Sequence, residues 1–308
     1  MLNNLNQTLY FIAGPTCIGK SSLAIRLAKK INGVIINSDS MQVYSNLNIL
    51  TARPSKKDLL EIKHELYGYV DAAVRYNVSN WCNDVLKIIK NNENNNFPSI
   101  IVGGSGMYID SLLNGLIPIP PIPEKYKKDS LSLLNEIGIK KFTEIINKFD
   151  SESLSKISLQ DSSRMRRIWE VYQSTGKKYS YWINKKNKIF LKNFSNKIFL
   201  FIPPRDDIYK KINLRFNTMI NEGAIEEVKK LISLNLDVSL PIMKAHGVPE
   251  ITNYLCGKID LEECIKKSQQ VTRNYAKRQL TWWRSSRLSI NKVFDQFPNE
   301  IDEKLIKI

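Results

Sequence analysis

Residues 14–21 read GPTCIGKS and match the phosphate-binding pattern G-x-x-x-x-G-K-[ST] in full. An apolar run, 9–13, precedes the loop, and a helical pattern follows it, in which Leu23, Leu27 and Ile31 recur every four residues. Such a loop binds phosphate because its backbone N–H groups and the N-terminus of the next helix point at one anion. The sequence therefore predicts a strand, an anion-binding loop and a helix.

The pattern gives a phosphate-binding role to every residue of the loop: Gly14, Pro15, Thr16, Cys17, Ile18, Gly19, Lys20 and Ser21. Lys20 would bring a positive charge to the phosphates, and the hydroxyl of Ser21 would be a ligand for Mg²⁺. Many unrelated reactions use this loop, so it does not by itself identify the phosphate compound.

The first part of the chain alternates strands with helices. A second apolar strand is predicted at 34–36, a helix at 78–90 and a third strand at 98–102. This alternation is typical of an α/β fold, with a P-loop-type parallel sheet and helices on both of its faces. Ligands bind at the carboxyl ends of such strands, where the sequence places the loop, Asp39 and the glycine-rich turn 103–106.

Proline-rich segments at 118–123 and 203–204 divide the chain. The sequence between them has helical patterns and, until a strand at 198–202, no convincing long strand. We therefore predict three segments: a first part of the P-loop core at 1–119, a mainly helical basic insertion domain at 120–197, and a second, largely helical part of the core at 198–308.

Composition excludes some classes of protein. The four cysteines form no C-x-x-C pair and there are only two histidines, which argues against a zinc site or a disulfide framework. No apolar stretch approaches the roughly 20 residues that span a bilayer. Residues 1–8 are polar and contain no hydrophobic signal-peptide region. We expect a cytoplasmic protein that does not enter a membrane.

Positive charge is concentrated in one part of the chain. The net charge is +16, and residues 121–197 contribute +9 of it, with 17 Lys and Arg against 8 Asp and Glu. Such concentration favours a polyanionic partner, most naturally a nucleic acid. The alternative is a codon bias towards Lys and Asn that affects every surface, since the Asn-rich run 91–96 shows that such a bias exists.

Two charged side chains stand out near the loop. Asp39 follows a strand end, so its carboxylate can be a Mg²⁺ ligand or a general base, or it can form an Asx turn or helix cap. The strand 98–102 ends in glycines rather than the carboxylate usual in P-loop NTPases, which argues mildly against ATP hydrolysis.

Arg215 interrupts an apolar helical stripe formed by Ile208, Ile212 and Met219, so its charge needs an anion. That anion is a buried carboxylate or a phosphate of the ligand.

Basic residues also cluster at Arg164, Arg166 and Arg167, and on a late helix that carries Arg273, Lys277, Arg278, Arg284 and Arg287. Aromatic residues are interleaved with this second cluster, at Tyr275, Trp282 and Trp283. Phosphate contacts beside stacking aromatics are typical of RNA-binding surfaces. Each cluster is also compatible with an ordinary solvated helix face.

Taken together, the motifs resemble the bacterial tRNA dimethylallyltransferase (tRNA isopentenyltransferase) family over about residues 9–287. Seven motifs carry the resemblance, in this order: 14–21, 37–44, 51–54, 102–109, 215–216, 247–250 and 272–282. The loop alone is common to many proteins, whereas the order and spacing of all seven motifs are specific to this family.

The resemblance implies transfer of a dimethylallyl group from dimethylallyl diphosphate to the exocyclic amine of the adenosine 3′ of the anticodon in tRNA. It implies that the loop and Mg²⁺ hold the diphosphate, with Ser21 as the metal ligand. The catalytic residues would be Asp39, which takes the proton, Arg215, which stabilises the leaving group, and Ser21. Ser21 stands where Thr is commoner in the family, and Lys211 stands where Arg is frequent.

The same resemblance implies that the anticodon stem-loop is bound with the target base flipped out. The residues expected to contact tRNA, with the late helix included, are Asp39, Ser40, Met41, Gln42, Ser163, Arg164, Met165, Arg166, Arg167, Lys244, His246, Gly247, Arg273, Lys277 and Arg278. Residues 244–249 depart from the family pattern, and His246 is either a base contact or a core residue. We expect no obligate protein partner and a monomer.

Two other functions remain open at this point. An adenylate isopentenyltransferase would use the same chemistry but would not need so much positive charge. A small-molecule P-loop kinase would explain the loop and Arg215 but not the basic insertion.

Overall fold

The computed structural model describes residues 8–187, 189–302 and 306. The polar N-terminal residues 1–7 lie outside the described part of the chain. Two compact units are present: one comprises Met1–Leu112 with Leu191–Ile308, and the other comprises Leu113–Phe190. The boundaries inferred from sequence, 120 and 197, lie a few residues further along the chain.

The first unit contains a sheet of six parallel strands in the order β3-β2-β4-β1-β5-β6. The predicted parallel α/β sheet is therefore confirmed. Its strands are β1 Thr8–Ala13, β2 Val34–Asn37, β3 His64–Glu65, β4 Ser99–Gly103, β5 Ser195–Phe201 and β6 Lys292–Phe294. The strands β3 and β6 were not predicted from the sequence.

Helices cover the sheet of the first unit. In the first part of the chain they are α1 Lys20–Ile31, α2 Lys56–Glu61, α3 Val78–Asn94 and α4 Gly106–Asn114. In the last part of the chain, and numbered after the three helices of the second unit, they are α8 Arg205–Asn221, α9 Ala224–Ile232, α10 Val248–Leu255 and α11 Leu261–Ser285. Successive residues of β1, β2 and β4 are buried, as expected for strands with both faces covered. Among the described residues, no helix combines the length and the apolar character needed to cross a membrane.

The core on one face of the sheet joins the first and last parts of the chain. Tyr10 and Ile12 of β1 pack in one cluster with Leu23 of α1, and Phe294 and Ile301 near the C-terminus belong to the same cluster. Arg26 of α1 strengthens the link, because its Nη2 donates to the carbonyl of Pro298 at 3.0 Å. The helix that follows the phosphate-binding loop is thus held by the last residues of the chain.

Strand register brings three functional turns together. Ala13 pairs with Gly103, and Asn37 pairs with Val102, so β1, β2 and β4 end side by side. The phosphate-binding loop, Asp39 and the glycine turn follow these ends directly. Gly103 leaves no space for a side chain, since a Cβ there would lie 2.2 Å from Oγ of Ser38. The sheet therefore sets the three turns at one edge.

The second unit contains the helices α5 Glu124–Ser155, α6 Ser162–Thr175 and α7 Tyr179–Ile183. Gly138 interrupts α5 with a φ of 75°. The core includes Phe142, Ile146 and Met165. Asp150 links α5 to α7, because its Oδ2 accepts a hydrogen bond from the backbone N–H of Ser180 at 3.0 Å.

Candidate functional site

A cavity of about 840 Å³ opens at the carboxyl edge of the sheet, within the first unit. The phosphate-binding loop forms one side of it, and Asp39 and the segment 50–55 form another. Arg215 of α8 and the end of α11 complete the lining. The cavity therefore gathers residues from six of the seven sequence motifs, and it reaches all three candidate catalytic residues.

The loop adopts the conformation that its glycines permit. Gly14 and Gly19 have positive φ angles of 146° and 86°, and Cys17 has a φ of 64°. A Cβ on Gly14 would lie 2.4 Å from the carbonyl oxygen of Phe201, so only glycine fits there. Gly19 is the N-cap of α1. The loop thus leads directly into a helix N-terminus, which is the geometry of an anion site.

Lys20, the first residue of α1, is partly buried at the end of this loop. Its Nζ donates to the carbonyl of Pro15 at 2.6 Å. The pKa of Lys20 is lowered to about 8, mainly by burial; the charges of Asp39 and Cys17 oppose this shift, and the charge of Arg215 adds to it. An anion in the loop would restore the preference for the ammonium form.

Arg215 approaches the same loop from α8. Its Nη1 donates to Sγ of Cys17 at 3.4 Å, and its neighbours Ile208, Ile212 and Met219 are buried as predicted. Among the described residues, no salt bridge pairs Arg215 with a carboxylate. The alternative of a buried ion pair is therefore unsupported, and the guanidinium faces the place where phosphate would bind.

Asp39 uses one carboxylate oxygen for structure. Its Oδ1 accepts from the backbone N–H of Met41 at 2.8 Å and from that of Gln42 at 3.4 Å. The Asx turn considered from sequence thus exists. In the described part of the chain, Oδ2 has no hydrogen-bond partner. The buried Asn37 fixes the backbone of Asp39, since its Oδ1 accepts from the N–H of Asp39 at 2.8 Å.

Three tyrosines lie close enough to the Asp39 carboxylate to be affected by its charge. Burial raises the pKa of Tyr275 to about 12, and the negative charge of Asp39 raises it as well. Burial and then Asp39 raise the pKa values of Tyr67 and Tyr108 in the same way. A half-buried carboxylate with one oxygen free, among phenols that stay protonated, is equipped to accept a proton from a ligand.

The site also fits Mg²⁺ in one respect. Ser21 is exposed at the start of α1, and its hydroxyl makes no hydrogen bond within the described residues. No group of three or more His, Cys, Asp or Glu in the described residues could form a metal cage. Because Mg²⁺ is usually held by one or two protein oxygens with phosphates and water, Ser21 suits an ion that arrives with a diphosphate.

Several predicted RNA contacts of the first unit line the cavity: Ser40, Met41, Gln42, Lys244, His246 and Arg278. The ring of His246 lies 4.7 Å from that of Tyr275 between centroids. Burial, and then the charge of Arg278, lower the pKa of His246. His246 is therefore a neutral, half-buried ring beside the cavity. The structure places it there rather than in the protein core.

Other predicted contacts have structural partners. Gly247 is buried with a φ of 95° and caps α10. Arg273 connects α11 to α8 through a hydrogen bond to Oδ1 of Asn213. Lys277 and Arg278 are exposed on α11, and Arg278 lies 5.6 Å from the ring centroid of Tyr275. The side chains of Lys277 and Arg278 are thus accessible to solvent, whereas Arg273 holds two helices together.

The arginine cluster of the second unit divides in a similar way. Arg166 points inwards, because its Nε donates to Oγ of Ser130 at 2.9 Å, and its neighbour Met165 is fully buried. Ser163 and Arg164 are exposed at the start of α6, and Arg167 is half-buried. The side chains of Ser163, Arg164 and Arg167 are therefore the ones that solvent, and a ligand, can reach.

Sequence reasoning missed Gln279 as a site residue. Its Oε1 accepts from the backbone N–H of Thr16 at 2.9 Å, which ties α11 to the phosphate-binding loop. Its Nε2 is buried with no partner in the described residues. Gln279 lies in a buried stripe with Ala276, Leu280 and Trp283. A polar residue within an apolar helical stripe, the pattern that identified Arg215, would have found it.

Comparisons with known proteins show the family to which the chain is similar. The sequence model of the IPP transferase family matches residues 42–286. A tRNA dimethylallyltransferase of Bartonella henselae is 43% identical over 280 residues, which cover 91% of this chain and 96% of the relative.

Solved structures are similar as well. A tRNA isopentenylpyrophosphate transferase of Bacillus halodurans matches with a TM-score of 0.68 and 27% identity, over 97% of this chain and 93% of that chain. A eukaryotic dimethylallyltransferase acting on tRNA matches with a TM-score of 0.76 and 29% identity, over 90% of this chain and 69% of that chain. The chain therefore belongs to the tRNA dimethylallyltransferase family, a family of prenyltransferase enzymes.

Proposed function

We propose that this enzyme transfers a dimethylallyl group from dimethylallyl diphosphate to the exocyclic amine of the adenosine 3′ of the anticodon in tRNA, and releases diphosphate. The observation that carries the proposal is one cavity with three features: an anion-binding loop, the guanidinium of Arg215 and the carboxylate of Asp39. Among the residues that the structure describes, Arg215 has no carboxylate partner and one oxygen of Asp39 has no hydrogen-bond partner.

The phosphate-binding loop and Arg215 account for the donor half of the reaction. The loop N–H groups and Lys20 would hold the diphosphate from one side and the Arg215 guanidinium from the other. As the C–O bond of the donor breaks, negative charge grows on the departing oxygen, and these fixed positive groups stabilise it. Mg²⁺ held by Ser21 and the diphosphate would supply further charge neutralisation.

Asp39 accounts for the acceptor half. As the new N–C bond forms, the amine nitrogen must lose a proton, and Oδ2 of Asp39 is the free acceptor at the cavity. An aromatic exocyclic amine is a weak nucleophile, so holding it against the donor carbon should provide much of the rate. The adenosine must leave its stack to enter the cavity, as in other enzymes that modify a base.

One assay separates the candidate functions. The enzyme is incubated with labelled dimethylallyl diphosphate and either bulk tRNA or AMP, and ATP turnover is measured in parallel. We expect label in tRNA only. Label in AMP would identify an adenylate isopentenyltransferase, and ATP hydrolysis or phosphorylated products without prenylation would identify a kinase.

The titration of Lys20 predicts a pH dependence of anion binding. The lowered pKa, about 8, means that the free enzyme carries the ammonium below this pH and loses it above. A bound anion raises the pKa of Lys20, because it stabilises the ammonium form. The anion therefore binds most tightly below pH 8, and its affinity declines as the pH rises above 8 and the free enzyme loses this charge. We expect the Kd of inorganic pyrophosphate, measured by calorimetry, to increase by at most about tenfold per pH unit above pH 8.

The Lys20→Met variant is the control for this titration. It should bind pyrophosphate weakly and without the added pH dependence, since the ionisation of the ligand is common to both proteins. Parallel curves for wild type and variant would show that Lys20 does not titrate in this range.

The second unit offers an exposed basic surface for RNA. No acidic residue occurs between Glu170 and Asp206. Within this stretch Lys177 and Lys185 each lie 4.7 Å from the ring centroid of Tyr181, which is itself 41% exposed. Lysines around an exposed aromatic ring suit contacts with phosphates and bases.

We predict that tRNA binding by the second unit is strongly salt-dependent. Arg164→Ala and Arg167→Ala should each weaken tRNA binding and lower the log–log slope against salt by about 0.7–0.9, because each removes a phosphate contact. Arg164 is 69% exposed, and within the described residues its one ion pair is a surface pair with Asp161, so its charge is available. Donor affinity should not change.

The exposed pair Lys140 and Lys141 on α5 provides the matched control. The double variant Lys140→Ala/Lys141→Ala removes the same charge as the double arginine variant and should leave the slope unchanged. If the arginine variants gave lines parallel to wild type in a salt titration, these arginines would not be RNA contacts and codon bias would explain the charge.

A further inference from the structure

Glu227 of α9 binds three consecutive backbone N–H groups. Its Oε1 accepts from Asn48 at 2.5 Å and from Ile49 at 2.9 Å, and its Oε2 accepts from Leu50 at 3.0 Å. The described residues contain no salt bridge to Glu227. Both of its oxygens therefore serve to hold one short segment of backbone, through charge-assisted hydrogen bonds.

This segment, residues 48–54, forms a wall of the cavity and is called the wall segment below. Leu50, Thr51, Ala52, Arg53 and Pro54 all line the cavity. Ala52 has a φ of 49°, in the left-handed region that is unfavourable for a residue with a Cβ. A backbone in this conformation persists only where the surroundings hold it, and Glu227 provides such a restraint.

Gln42 connects the wall segment to Asp39. The Nε2 of Gln42 donates to the carbonyl of Thr51 at 2.8 Å and to that of Ala52 at 3.2 Å. The backbone N–H of Gln42 in turn donates to Oδ1 of Asp39 at 3.4 Å. A continuous set of hydrogen bonds thus runs from Glu227, through the wall segment, to the proposed general base.

Arg53 reinforces the same arrangement. Its Nε donates to Oδ1 of Asn48 at 3.2 Å, and its Nη2 donates to the carbonyl of Ser45 at 3.2 Å. Burial lowers the pKa of Arg53, and the nearby charge of Glu227 raises it. The carboxylate therefore also compensates a partly buried cation in the wall segment.

We propose that Glu227 is a positioning residue for the reaction: it fixes the wall segment and, through Gln42, the carboxylate of Asp39 against the acceptor amine. This inference rests on the proposed function, since it assumes the role given to Asp39. Glu227 lies outside every motif that sequence analysis singled out.

The test replaces Glu227 by Gln, which keeps its size. The new amide NH₂ would have to face an N–H group of the wall segment, so one hydrogen bond is lost and two donors oppose each other. We expect kcat for tRNA prenylation to fall about 10- to 100-fold, the loss usual for a small misplacement of reacting groups. The Kd of pyrophosphate should stay within about twofold of wild type.

Glu226→Gln is the matched control, because Glu226 is an exposed neighbour on the first turn of the same helix. It makes the same change of charge and should leave kcat unaltered. Thermal unfolding curves of both variants show what fraction of each is folded at the assay temperature. A loss of kcat in Glu227→Gln that only follows its folded fraction would make Glu227 a stabilising residue and overturn the proposal.

A double-mutant cycle with Gln42→Ala gives a readout that stability alone would not change. If Glu227 and Gln42 both act through the wall segment, kcat of the double variant should be about equal to that of the slower single variant. The second substitution would then disrupt an arrangement that the first has already lost. Independent effects would multiply, and that result would contradict the proposal. Failure of the proposed function is separate, since the wild-type enzyme would then label no tRNA in the same assay.

Discussion

Asp39→Asn is expected to lower the rate of tRNA prenylation by roughly two to four orders of magnitude, the range usual for loss of a general base. The substitution changes one oxygen of the side chain and preserves the other. An asparagine keeps an Oδ1 that can accept from the N–H groups of Met41 and Gln42, as Asp39 does. Only the second oxygen, which has no partner in the described residues, is replaced by a donor. The turn should therefore survive while the proton acceptor is lost.

Single-turnover labelling of tRNA measures this effect, and pyrophosphate binding serves as its control. Pyrophosphate affinity should be nearly unchanged, because the anion-binding loop, Lys20 and Arg215 remain. Near-normal turnover of the variant would show that Asp39 is structural. The Asx turn would then be its whole role.

Arg215→Ala should impair both donor binding and the chemical step. The guanidinium faces the diphosphate in the ground state and the growing charge of the leaving group in the transition state. Truncating one partner of a buried charge pair costs about 2–5 kcal/mol, so kcat/KM for the donor should fall between about 30-fold and about 5,000-fold. Competition by inorganic pyrophosphate should weaken in parallel.

Two further variants sharpen this prediction. Arg215→Lys keeps the charge but not the planar fork and should recover part of the activity. Arg205→Ala removes an exposed arginine from the first turn of the same helix and should have no effect. A loss of tRNA affinity alone in Arg215→Ala would mean that this arginine faces the RNA.

The sequence predicted the long elements of the sheet because they carry repeated apolar patterns. The strands β1 and β4 are continuous apolar runs, and α8 and α11 follow clear helical periods. The strands β3 and β6 have two and three residues. Strands this short are defined only by the neighbour with which they pair, and no local pattern distinguishes them from loop. The order of strands in the sheet is likewise a tertiary property.

The candidate site was predictable where a residue type conflicts with its surroundings. Arg215 in an apolar stripe and Asp39 after a strand are such conflicts, and both lie at the cavity. Glu227 shows no conflict, because a glutamate in the first turn of a helix is common. Its role depends on three backbone groups that are about 180 residues away along the chain. Only the folded chain brings them together.

The first unit is built from two separate stretches of the chain, and this affects how the protein folds while the ribosome makes it. The central strand β1 pairs with β5, which the ribosome makes only after the whole second unit, and α1 packs against Phe294 and Ile301. We expect the second unit, which is continuous, to become protease-resistant first in ribosome-bound chains of increasing length. A nascent chain without residues 292–301 would emerge with the apolar side of its first helix uncovered. Until these residues are made, that surface is open to chaperones that bind apolar segments.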